Sequence, residues 1–123
     1  SYSRYEYKRS DFPRVFYYTD LSNVEHQVKS SAKALYTTKV DGSKILALND
    51  ALAEYKNNKD GMERTDKKAY EVIHALIGIG YGTDWDSMFQ TAAKNYIGIF
   101  YDTGNLPMVN IFVPMKVKKY VNI

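Results

Sequence analysis

A chain of 123 residues holds one domain, with or without an arm, and a single core can carry it without covalent staples. With 25% charged and 45% apolar residues it is not a disordered chain, and with no cysteine it has no disulfide, thiolate nucleophile, zinc–thiolate centre or iron–sulfur cluster. The net charge of +3 is too small to imply nucleic acid by itself, but it is unevenly spread: residues 1–68 carry 13 Lys/Arg against 10 Asp/Glu, residues 69–115 sum to −3, and the last eight add +3.

The compositional surplus is aromatic, with 12 Tyr, 5 Phe and 1 Trp, and it begins at the first residues. Residues 1–12 (SYSRYEYKRSDF) alternate Tyr2, Tyr5 and Tyr7 with Arg4, Lys8 and Arg9, the pattern of an arm or an edge strand. After Pro13, the run Val15-Phe16-Tyr17-Tyr18 reads as a strand. Ser22 and Glu25 form a capping-box pattern, and Val24, Val28, Ala32 and Leu35 share one helical face, which predicts a first helix. Asp41-Gly42, set between Thr37–Val40 and Ser43–Leu46, predicts a type I′ hairpin, with a helix following from about Asn49 to Lys56. Residues 57–65 (NNKDGMERT) read as a loop.

Thr65 or Asp66 caps the next helix, whose apolar face is Ala69, Tyr70, Ile73, Leu76 and Ile77, and Gly78, Gly80 and Gly82 end it. Thr83 caps another, with Trp85, Met88, Phe89, Ala92, Ala93 and Tyr96 on one face, the best helical period in the chain. Ile97 to Tyr101 and Met108 to Val113 read as partner strands about the turn Asp102-Thr103-Gly104-Asn105. Pro114 breaks that run, and Lys116 to Val121 alternates as a final edge strand. The expected fold is α+β: three to four helices packed on a small, mainly antiparallel sheet formed by hairpins and terminal strands. The expected organisation is an arm over residues 1–12 and a single domain over residues 13–123, with the first and last strands side by side.

Local motifs favour architecture over chemistry. Gly78-Ile79-Gly80-Tyr81-Gly82 has the spacing GxGxG, not GxGxxG, and follows a helix where a dinucleotide loop needs a strand. It reads as a helix C-cap and turn. A helix-turn-helix reading fails on charge, because the second helix opens with Asp84 and Asp86 and offers only Lys94 to a phosphate. Those two carboxylates suit a helix N-terminus better than a divalent cation. The histidines, His26 and His74, lie far apart, which argues against a metal pair, and His74 reads as a packed, hydrogen-bonded residue before it reads as a general base. GxSxG, SxxK, Walker A and HExxH patterns are absent, no catalytic, metal or cofactor residue is assigned, and no motif carries a family resemblance.

Basic side chains interleaved with aromatics remain as the feature that points to binding. The candidate surface is Tyr2, Arg4, Tyr5, Tyr7, Lys8, Arg9 and Arg14 at one end, with Lys116, Lys118, Lys119 and Tyr120 at the other. Tyr and Arg anchor protein interfaces, and aromatic rings beside cations also suit single-stranded nucleic acid. Glu6 and Asp11 dilute the positive field and favour the protein reading. The leading expectation is therefore a non-enzymatic binding or assembly protein, an inhibitor, adaptor or structural component, that engages a protein partner or itself as a homo-oligomer. The alternatives are a nucleic-acid-binding protein, a small metal-independent ribonuclease-like enzyme using Tyr, Lys, Arg and His74, and a small-ligand or nucleotide binder with a cleft at Gly80, Tyr81 and Trp85. With no signal peptide and no apolar stretch long enough to span a bilayer, and with Ser1 placed as after loss of an initiator Met, a whole cytoplasmic chain is expected.

Overall fold

The computed structural model describes residues 10–19, 34–78, 82–102 and 107–120, together with the backbone alone at 121–122. In chain order the strands are β1 (Val15–Tyr18), β2 (Ala34–Thr37), β3 (Ile45–Ala47), β4 (Gly98–Tyr101), β5 (Met108–Ile111) and β6 (Lys118–Asn122). Between β3 and β4 lie the helices α1 (Leu48–Asn57), α2 (Lys59–Thr65), α3 (Lys67–Ile77) and α4 (Trp85–Ala92). The fold is α+β, with these four helices packed on a mixed four-stranded sheet ordered β1-β5-β4-β3, and a separate two-stranded ribbon of β2 and β6.

The β3–β4 pair is parallel, and parallel neighbours need a long crossover, which the four helices supply. The β4–β5 and β5–β1 pairs are antiparallel, as expected for the partner strands on either side of residues 102–107. Register places Phe16, Asn110, Ile99 and Leu46 in one row across the sheet, and Val15, Ile111, Gly98 and Ile45 in the next. Leu46 and Ile99 of the first row join Leu48, Ala51, Met62, Val72, Ile73, Leu76, Met88 and Phe89 in the core, so the helices cover that face.

Three helices follow one another because single polar residues break the chain and start it again. Asn58 leaves helical geometry at φ −152°, ψ 63°, and its side-chain oxygen accepts from the Gly61 amide at 3.2 Å to cap α2. Asp66, at φ −142°, ψ 66°, does the same for α3, accepting from the Ala69 amide at 3.4 Å. Residues 57–65, expected as a loop, are thus the last residue of α1, a cap at Asn58 and the helix α2. The polar composition hid one fully buried side chain, Met62, whose burial holds the short α2 against its neighbours.

The hairpin expected at Asp41-Gly42 does not form. A type I′ turn needs positive φ at both central residues, and Asp41 sits at φ −75°. Its carboxylate instead accepts from the Ser43 amide at 3.0 Å and the Ser43 hydroxyl at 2.7 Å, opening a 3-10 turn over Gly42–Lys44. Those two bonds hold the Asp41 carboxyl below the usual carboxylate range, the hydroxyl contributing most. The flanking strands then separate: β2 pairs with β6, and β3 with β4. Leu35, expected on a helix, lies in β2, while Val24, Val28 and Ala32 fall outside the described residues. The basic, aromatic first strand signal, expected beside the last strand, lies outside the described residues up to position 9, and β1, which follows it, pairs with β5 while β6 pairs with β2.

The start of α4 is set by Asp84 rather than Thr83. Asp84 Oδ1 accepts from the Ser87 amide at 3.0 Å, and Oδ2 from the Ser87 hydroxyl at 2.7 Å. The helix ends at Ala92, ahead of Ala93 and Tyr96. Asp84→Ala is expected to lower stability by about 1 kcal/mol, while Thr83→Ala leaves it unmoved. Urea midpoints compare the two, and equal midpoints for Asp84→Ala and the parent chain would reject the cap.

Candidate functional site

The N-terminal half of the expected surface divides at residue 10. Tyr2, Arg4, Tyr5, Tyr7, Lys8 and Arg9 lie outside the described residues. The described chain starts with Ser10, which is buried and whose hydroxyl donates to Asp86 Oδ1. Asp86 therefore serves as an anchor for this segment, beside the cap at Asp84. Phe12 follows into a ring cluster, stacked on Phe89 at 6.1 Å and edge-on to Phe112 at 5.5 Å.

Arg14 is held by the fold. Its guanidinium carbon lies 4.4 Å from the Phe89 ring centroid and 5.2 Å from that of Phe16. Its Nε donates to Asn110 Oδ1 at 3.2 Å, and its Nη1 to the carbonyls of Phe12 at 2.9 Å and Ser10 at 3.3 Å. Arg14 satisfies the buried Asn110 and closes the edge between sheet and helices.

β1 is apolar and exposed on both of its faces. Val15 is 56% exposed, Phe16 49% and Tyr18 42%, on a strand with a ladder neighbour on one side only among the described elements. Tyr36, Val113, Val117 and Tyr120 complete the exposed large hydrophobic residues of the described chain. All seven lie on β1, on the ribbon, or on the segment leading into β6, and none lies on a helix.

The ribbon carries the C-terminal half of the expected surface. Tyr36 stands opposite Lys119 and Thr37 opposite Lys118, and a register shift between Leu35 and Tyr36 makes Tyr120 the extra residue of a bulge. Beyond the ladder, the Thr38 hydroxyl donates to the Lys116 carbonyl at 2.7 Å and keeps the strands together. At that end a groove of about 490 Å³ is lined by Thr37, Thr38, Lys39, Met115, Lys116, Val117 and Lys118. Lys39 was not among the expected site residues. It stands alone in sequence, and only the pairing of β2 with β6 brings it beside the C-terminal lysines.

Two other groupings account for the remaining candidates. Trp85 packs edge-on to Tyr101 at 5.7 Å and against Phe89 at 6.3 Å, at the margin of the core, whereas Gly80 and Tyr81 fall outside the described residues. Gly78 caps α3, its amide donating to the His74 carbonyl at 2.7 Å, and Gly82 takes φ 101°, a conformation suited to glycine.

His74 is hydrogen-bonded, its Nδ1 lying 3.1 Å from the Tyr55 hydroxyl, and its ring stacks on Tyr70 at 5.6 Å. The Lys59 ammonium lies 5.3 Å from the Tyr55 ring centroid, and the neighbouring Tyr55 hydroxyl raises the lysine above its ordinary range. Tyr, Lys and His do meet here, but as a ring stack joining α1, α2 and α3. His26 lies outside the described residues.

No group of three or more His, Asp or Glu among the described residues is placed to hold a metal ion, and no described helix is long and apolar enough to cross a membrane. No protein-family profile, curated protein or solved structure matches the chain.

Proposed function

We propose that this chain is a non-enzymatic binding and assembly protein that engages a second copy of itself or a protein partner through its sheet edges near the chain ends. One observation carries the reading: every large hydrophobic residue exposed in the described chain lies on β1, the ribbon or the segment entering β6. A helical surface free of such residues beside an edge strand of sequence VFYY is an uneven distribution, and contiguous exposed apolar surface is where chains associate. Among the described residues β1 has a ladder neighbour on one side only, and a strand from another chain can complete the other side.

Sedimentation of the purified protein tests this directly. The parent chain is expected to sediment as a dimer or larger. Val15→Lys places a charge on the exposed edge and is expected to yield monomer with unchanged thermal stability, since Val15 is 56% exposed and contributes little to the core. A parent chain that is monomeric at every concentration, or a Val15→Lys variant that assembles normally, would overturn assembly through β1.

A further inference from the structure

The ribbon has a chemistry that β1 lacks. Residues 34–40 and 113–122 contain four lysines, Lys39, Lys116, Lys118 and Lys119, and no aspartate or glutamate. The fold brings three of them to one groove of about 490 Å³, lined also by Thr37, Thr38, Met115 and Val117. From Lys116 to Lys119 the chain extends roughly 10 Å at strand rise, so the cations form a short row rather than a point. Tyr36 and Tyr120 are 57% and 53% exposed on the same ribbon. A charge-only partner such as an acidic peptide needs the lysines and leaves these ring faces unused. A duplex leaves them unused too, because its bases are already stacked.

We infer that the β2–β6 ribbon binds single-stranded nucleic acid, its backbone following Lys39, Lys116 and Lys118 along the groove and its unpaired bases stacking on Tyr36 and Tyr120. Phosphate neutralisation supplies affinity without sequence readout, and base–aromatic stacking selects single strands over other polyanions. This site shares no residue with β1, so it stands or falls apart from assembly through β1.

Fluorescence anisotropy with a labelled oligothymidylate over a salt series reads both components. Three phosphate contacts, from Lys39, Lys116 and Lys118, predict a slope of log affinity on log salt of about −2 for a single strand, falling to about −0.7 in Lys116→Gln/Lys118→Gln. Tyr120→Ala is expected to weaken binding at least about fivefold with the slope unchanged, because stacking releases no counterions. Val15→Lys should bind the oligonucleotide as the parent does. Circular dichroism melting confirms that each variant is folded, as expected for changes at exposed side chains. No binding at low salt, a parent slope retained in the double lysine variant, or full affinity in Tyr120→Ala would each overturn the inference. So would polyglutamate or a duplex of the same length competing as well as the single strand after correction for charge.

Discussion

Replacing Phe89 by alanine is expected to cost about 4 kcal/mol of stability, within the range for emptying an aromatic site in a core. Phe89 is 4% exposed on α4 and is the hub of the ring cluster, stacked with Phe12, edge-on to Phe112 at 5.8 Å and tilted against Trp85. It is also the ring beneath the Arg14 guanidinium. The substitution therefore opens a cavity, removes the platform for a half-buried cation, and loosens the segment from Ser10 to Arg14 that is pinned to α4. Guanidinium denaturation measures the loss, and a change below about 2 kcal/mol would show that the cluster collapses around the gap. A double-mutant cycle with Arg14→Ala separates the cation–ring term, expected at roughly 1 kcal/mol of coupling; strict additivity would show that Arg14 draws its stability from Asn110 and the carbonyls alone.

Gly98→Ala is expected to cost about 3 kcal/mol and to lower the melting temperature by roughly 10 °C. Gly98 lies in β4 between Ile45 of β3 and Ile111 of β5 in the same cross-sheet row. A β-carbon there would stand 2.8 Å from Ile111 Cδ1 and 3.1 Å from Ile45 Cδ1, and would collide with the Asn110 carbonyl oxygen. The two isoleucine side chains can turn aside, but a carbonyl in the neighbouring ladder cannot move without disturbing β5. Gly42→Ala is the control, since nothing lies within 4 Å of a β-carbon at that position, and it is expected to be neutral or slightly stabilising. Equal melting temperatures for the two variants would show that β5 yields at no cost.

Where sequence and structure agree, the deciding interactions are local or periodic. The apolar spacing of Ala69, Ile73 and Leu76, and of Met88, Phe89 and Ala92, leads to α3 and α4 because one face of a helix must be buried whatever lies opposite. Asp66, one of the two residues expected to cap α3, does so through a bond to an amide three residues on, a contact as local as the helical period. The alternation from Met108 onward, broken by Pro114, placed β5 correctly beside β4. Lys116 to Tyr120 was legible as a basic, aromatic edge strand, and the structure leaves Tyr120 exposed on β6.

The departures share a cause as well. Asp41-Gly42 satisfies two local designs, a type I′ turn and a capped 3-10 turn, and only the distant partners of β2 and β3 choose between them. Arg14 reads as a surface cation until Phe89 and Asn110, both more than seventy residues away, are brought beneath it. Met62 is a lone apolar residue in a polar run, and nothing nearby announces that it will be fully buried. Lys39 joins the C-terminal lysines only through the β2–β6 ladder.

By itself, then, the sequence determined the class of fold, the two long helical faces, the absence of thiol chemistry and the excess of basic and aromatic residues toward the chain ends. These follow from composition and from side-chain period, which act over a few residues. The tertiary structure decided which of those residues are consumed and which are presented. It spends Arg14, Phe12 and Trp85 on the core and its margin, and leaves Val15, Phe16 and Tyr18 along one sheet edge. It also gathers Lys39, Lys116 and Lys118 into one groove. Those choices depend on strand pairings between residues far apart in the chain, and no local pattern encodes the partner of an edge.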